Sequence, residues 1–248
     1  MSELRDFFNE RRNEVNAYMD FLDSISAQAQ SGAPRFDGMT QGITPEQQKL
    51  LYASVYLQLY NLVEATMTLC VESVAKAAAD DAKWTPDDLS EPLRREWVRT
   101  TARTHVDLNY ANRLEAAINA VDHVVGSQPV GSTFAIDKGG GGNWDDEAIE
   151  QMSGRLGCKL KVSAAVRSSV KRPFKDDLGP LALVKSRRND LAHGSMSFAE
   201  SAAEVTVSDL QQLVDAVLGY LGEVVSQFDA YVAGYEYLSP EKRPTTKA

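Results

Sequence analysis

Cysteine and histidine are scarce in this 248-residue chain, which has two of the first and three of the second. Cys70 and Cys158 are too few for a disulfide framework. Neither sits in a Cys-x-x-Cys or paired-histidine spacing, so ordinary reduced thiols and no metal site are expected. Long apolar runs are also missing: none approaches the roughly 20 residues that a membrane-spanning helix needs. The start, Met1-Ser-Glu-Leu-Arg-Asp6, has no basic segment followed by an apolar run. These absences describe a cytoplasmic chain with no membrane partner. Positive charge is in deficit as well, with 26 Lys+Arg against 35 Asp+Glu for a net of −9. Such a balance opposes indiscriminate coating of nucleic acid or anionic membrane by the whole surface.

What is present is helical periodicity. Leu4, Phe8, Val15, Tyr18, Leu22 and Ile25 recur at helix spacing and predict a first helix to about Gln30. After a turn-rich stretch, Thr44-Pro45 opens a second helix whose segment Leu50 to Val74 is apolar almost all round, the pattern of a central, buried element. Ser90 to Val125 reads as one helix carrying Leu93, Trp97, Leu108, Leu114, Ile118 and Val121. Asp145 to Leu156 reads as a short helix stopped by Gly157. Gly179-Pro180 opens a further helix that ends at Gly194. Ser208 with Gln211 forms a capping box before the stripe Leu210, Val214, Val217, Leu221, Val224, Phe228, Tyr231 and Tyr235. The fold class is therefore all-α: a helical bundle in a single domain over 1–238, with an inserted linker and basic region at about 126–174 and a disordered tail at 239–248.

The run Gly139-Gly140-Gly141-Gly142 is followed by no Gly-Lys-Ser/Thr and preceded by no strand, so it reads as a flexible linker rather than a phosphate loop. His105 and His123 lack metal-ligand spacing and read as solvated or core histidines. Charge placement carries more. From Arg155 to His193 there are ten basic residues against three acidic, a local +7 that leaves −16 for the rest. A phosphate-backbone site inside an acidic molecule has this pattern, and so does a solvated charged face.

At the end of that stretch, Asn189 and His193 are four apart on a helix and so are neighbours, which lets the amide orient the imidazole. Arg188 lies roughly 140° round the helix from His193, so the pair needs a long side chain or a second copy across a two-fold axis to converge. The exposed carbonyls of a helix end favour a cationic imidazole there. A basic helix terminus with a capping histidine is the plainer reading, and both stay open on spacing alone.

At these residues the chain resembles the HEPN superfamily, whose signature is an Arg, commonly a polar residue after it, and a His four to six positions on near a helix end. Arg188-Asn189-Asp190-Leu191-Ala192-His193-Gly194 has the Arg-x4-His form. Tyr60-Asn61-Leu62-Val63-Glu64 and Gly142-Asn143-Trp144-Asp145 leading to Leu156-Gly157 look like the RiboL-PSP-HEPN or MAE-like branch, over roughly Leu4 to Tyr237. The resemblance implies a dimeric, metal-independent endoribonuclease without cofactor, a toxin or effector of a toxin–antitoxin or antiviral defence system with an antitoxin or defence partner. It implies His193 as acid/base, Arg188 on the scissile phosphate and Asn189 as orienting group. Lys171, Arg172, Lys185 and Arg187 would bind RNA. Glu64 would support Arg188 or simply pair with a helix-borne Arg. Members with lost activity make a noncatalytic RNA-, nucleotide- or protein-binding module the competing class. Some members carry His-x-Tyr where this chain has Ser195, which argues against neutralisation by modification of that tyrosine.

Overall fold

The computed structural model describes residues 2–38, 41–79, 83–139 and 143–244. Among them the ordered elements are helices, with isolated bridges at Leu89↔Leu238 and Lys175↔Leu178 and no strand. None of these helices is long and apolar enough to cross a membrane.

Three long helices form the centre. α1 (Glu3–Ala29) starts where the Ser2 hydroxyl accepts from the Arg5 N–H. α2 (Pro45–Ala78) starts with Thr44 and Gln47 in a reciprocal capping box and Pro45 in its first turn. α9 (Val207–Ala233) packs against both. Their apolar faces interlock in one core containing Phe8, Leu22, Leu59, Tyr60, Met67, Val217, Leu221 and Phe228. The all-round apolar character of α2 is explained by its position, since α1, α9, α7 (Pro180–His193) and α8 (Phe198–Ser201) all lie against it. α6 (Ala164–Lys171) rests on α9 and α7. Burial pushes the Cys158 thiol up to about 12 and Cys70 well above its usual value, so both remain unreactive thiols inside the bundle.

Four expectations need correction. The single helix over Ser90–Val125 is two: α3 (Glu91–Thr101) and α4 (Tyr110–Val125). The chain breaks at Arg103, whose φ of 51° is left-handed, and Asn109 then caps α4 by accepting from the Asn112 N–H at 2.9 Å. Leu93 and Trp97 on α3 are buried as expected, but Leu114, Ile118 and Val121 on α4 are exposed. Second, the stretch expected as a flexible linker after Gly126 buries Val130, Phe134 and Ile136 against the core. Only the part at Gly140–Gly142 lies outside the described residues. Third, α9 is capped by Thr206 and Asp209, two residues upstream of the expected box, which adds Val207 to the buried face. Fourth, the tail expected to be disordered begins with a 3-10 turn, Pro240–Lys242, held by Lys242–Asp88 at 2.8 Å and by Ser239 N–H to the Asp88 carbonyl. Residues 245–248 lie outside the described residues.

Candidate active site

α7 is bounded by two glycines that the backbone requires. A Cβ on Gly179 would sit 2.4 Å from the Val170 carbonyl oxygen, so only glycine lets the start of α7 touch the end of α6. At the other end Gly194 takes a φ of 70°. The Ser195 N–H then reaches back to the Asp190 carbonyl and the Gly194 N–H to Leu191, the paired bonds of a Schellman stop. His193 is therefore the last residue of α7, and it is exposed. The first half of α7 buries Leu181, Leu183 and Val184, while its second half emerges along α2.

α2 meets that second half with Tyr56, Tyr60 and Glu64, which share a face at four-residue steps. Arg188 lies with its guanidinium carbon 4.4 Å from the Tyr60 ring centroid. It donates to the Asn189 amide oxygen at 2.9 Å, and Glu64 is 3.9 Å away. With 31 % of its side chain exposed, this guanidinium is braced but accessible. Asn189 in turn donates to the Asn143 amide oxygen at 3.5 Å, bringing the segment before α5 (Asp146–Arg155) to the same site. Burial raises the Tyr60 hydroxyl pKa, with Arg188 pulling it down and Glu64 pushing it up.

The basic segment is less naked than its count. Arg187, only 12 % exposed, points into the protein, pairs with Asp176 and lies 3.7 Å from the Met196 sulfur. Its side chain is largely covered, which leaves it little surface to offer a ligand. Lys185 pairs with Asp145, the N-cap of α5. Lys171 pairs with Asp146 at 2.5 Å and lies 3.8 Å from Glu150; hydrogen bonding to Asp146 raises its pKa against the opposing cost of burial. Arg155 is taken up by buried Glu96 at 2.8 Å. Arg172 is exposed and has no carboxylate partner among the described residues. The sequence count missed these partners because Asp145, Asp146, Glu150 and Glu96 precede the counted stretch. The two other histidines are held by backbone carbonyls, His105 by Arg99 at 3.0 Å and His123 by Pro129 at 2.7 Å.

Sequence reasoning named Arg188, Asn189, His193 and Glu64, and the structure brings the first two together with Glu64, placing His193 at the adjacent helix end. It missed the roles of Tyr60 and Asn143. The four-residue step from Tyr56 to Tyr60 to Glu64 was the available signal.

Comparison with known families gives the class: an all-helical HEPN domain, from a superfamily of nuclease and RNA-binding modules. The family model described as HEPN_MAE_28990-like HEPN matches residues 1–237, and the chain belongs to that family. No curated protein and no solved structure matches it.

Proposed function

We propose that this protein is a metal-independent endoribonuclease that cuts RNA at the C-terminal end of α7. The observation that carries the reading is the Arg188 guanidinium. It is held by a ring, an amide and a distant carboxylate, keeps 31 % of its side chain exposed, and lies on the same helix as an exposed terminal His193. In this reaction the RNA 2′-hydroxyl attacks the adjacent phosphorus. The 2′-O–P bond forms as the P–O5′ bond breaks, leaving a 2′,3′-cyclic phosphate and a 5′-hydroxyl. His193 takes the 2′ proton or delivers one to the departing 5′ oxygen, and Arg188 stabilises the charge developing on the phosphate. Asn189 orients Arg188. Arg188 and His193 are on different sides of α7 by helix geometry, so a homodimer with two α7 ends in one cleft completes the set.

Arg172 is the proposed RNA contact on the basic side. Lys171 and Lys185 join it by exchanging carboxylate for phosphate, and Arg187 acts from beneath by shaping α7. Action as a toxin or defence effector, with a basic partner on the acidic remainder of the surface, belongs to the same proposal. A second reading, a noncatalytic RNA-, nucleotide- or protein-binding module, is favoured by the Asn189 amide being taken up by Arg188 and Asn143 rather than by His193.

The test is cleavage of a mixed RNA pool in excess EDTA by wild type, His193→Ala and Arg188→Ala. Loss of about 100-fold or more in both variants supports the nuclease. An inert wild type that still binds RNA through Arg188 supports the module, and a His193→Ala rate equal to wild type removes the catalytic assignment.

A further inference from the structure

We propose that Tyr60 is the positioning residue for both arms of this site: its ring sets Arg188 and its hydroxyl sets the Asn143–Asn189 arm. Tyr60 has no exposed surface and sits on α2 between Leu59 and Leu62, so the bundle fixes its ring. One face of that ring carries the Arg188 guanidinium at 4.4 Å. The hydroxyl lies against the backbone of Trp144, which holds its pKa down against the rise that burial brings. Trp144 is itself buried and is flanked by the two residues that reach α7 from this loop. On one side Asn143 accepts from the Asn189 amide, and on the other Asp145 pairs with Lys185. A single buried side chain therefore indexes α7 twice, directly through Arg188 and indirectly through the loop.

The chemistry of the platform suits a phosphate ligand. A ring attracts a guanidinium through its quadrupole without neutralising it, and it leaves the N–H edges free. A second carboxylate in the place of Tyr60 would hold the arginine more firmly but would compete with the phosphate for the same donors. Glu64, at 3.9 Å, is too far for a hydrogen-bonded clamp, so the ring and the 2.9 Å bond to Asn189 orient the guanidinium.

The inference rests on the reading of Arg188 as a phosphate ligand, and two variants separate its parts. Tyr60→Phe keeps the ring and removes the hydroxyl; Tyr60→Leu removes both. With RNA as substrate, Tyr60→Phe lowers kcat about 2- to 10-fold at little change in KM, the scale of one hydrogen bond. Tyr60→Leu loses about a further 2- to 30-fold, the scale of a partly desolvated cation–π contact. The second readout needs no activity. In NMR spectra of the free protein, the Arg188 Nε–H signal, shifted by the ring current, is retained in Tyr60→Phe and lost in Tyr60→Leu, while the Asn189 side-chain amide signals move in both. If wild type neither cuts nor binds RNA, the phosphate reading falls and these spectra still decide the positioning role. Unchanged Arg188 and Asn189 signals in both variants, or wild-type kcat in both, would overturn the proposal.

Discussion

Arg187 and Arg188 are neighbours in sequence with opposite duties. Their positions on α7 differ by about 100°, which turns one toward Tyr56 and Asp176 and lays the other on Tyr60 near solvent. Removing the more covered one leaves buried Tyr56 without its partner, so Arg187→Ala costs about 1–3 kcal/mol in urea unfolding. Removing the more open one forfeits a partly exposed cation–π contact, so Arg188→Ala changes stability by less than about 1 kcal/mol while suppressing RNA cleavage. Equal destabilisation by the two substitutions would contradict this division. Gly194 is read the same way. At a φ of 70° any Cβ is strained even in open space, and Gly194→Ala costs about 1–2 kcal/mol. An unfolding curve that coincides with wild type would show that the Schellman stop does not set the end of α7.

α5 and α7 are joined end to side by one carboxylate. Asp145 caps α5 through the Ala148 N–H at 2.8 Å and pairs with Lys185 on α7. Burial pushes the Asp145 pKa up, the Lys185 and Ala148 hydrogen bonds pull it down, and the net result lies below the usual carboxylate range. Because the folded value is the lower one, the stabilisation is present above the unfolded pKa of about 3.9 and is lost as pH falls through the folded value. Asp145→Asn keeps a capping side chain and removes the charge. It is therefore less stable than wild type by about 0.5–1 kcal/mol at neutral pH, and the gap closes under strong acid. A gap independent of pH would show that the Lys185 pair contributes nothing.

The helices that were legible in the sequence are those whose period is reinforced by an unambiguous start and stop. α2 has Thr44-Pro45, and α7 has Gly179-Pro180 and Gly194. The break between α3 and α4 was hidden because Leu114, Ile118 and Val121 keep a helical period while facing solvent, so periodicity alone carried one helix through Arg103. α6 was missed because only Val170 among its eight residues is buried. Arg188, Asn189 and His193 were legible as a motif; Tyr60 as their support was not, because contact between α2 and α7 is a product of packing across more than 100 residues of chain.

For the whole molecule, the −9 total and the +7 segment describe formal charge, not charge available to a ligand. Lys171, Lys185 and Arg187 are paired with carboxylates, whereas Lys159, Lys161, Arg167 and Arg172 are exposed and pair with none among the described residues. RNA binding should therefore show a smaller salt slope than the ten-residue count suggests, and Arg172→Glu should reduce its magnitude by about 1 while weakening affinity. An unaltered slope would exclude Arg172 from the interface.

The central claim is that the end of α7 cuts RNA through the RNA's own 2′-hydroxyl. Its most direct test is end-group analysis of a short RNA and of the same strand with one 2′-deoxy sugar at the cleaved linkage, both in excess EDTA. The expected result is a 2′,3′-cyclic phosphate and a 5′-hydroxyl from the first strand and no cut at that linkage in the second, with His193→Ala inert on both. Cleavage of the deoxy linkage, or products bearing a 5′-phosphate, would contradict it.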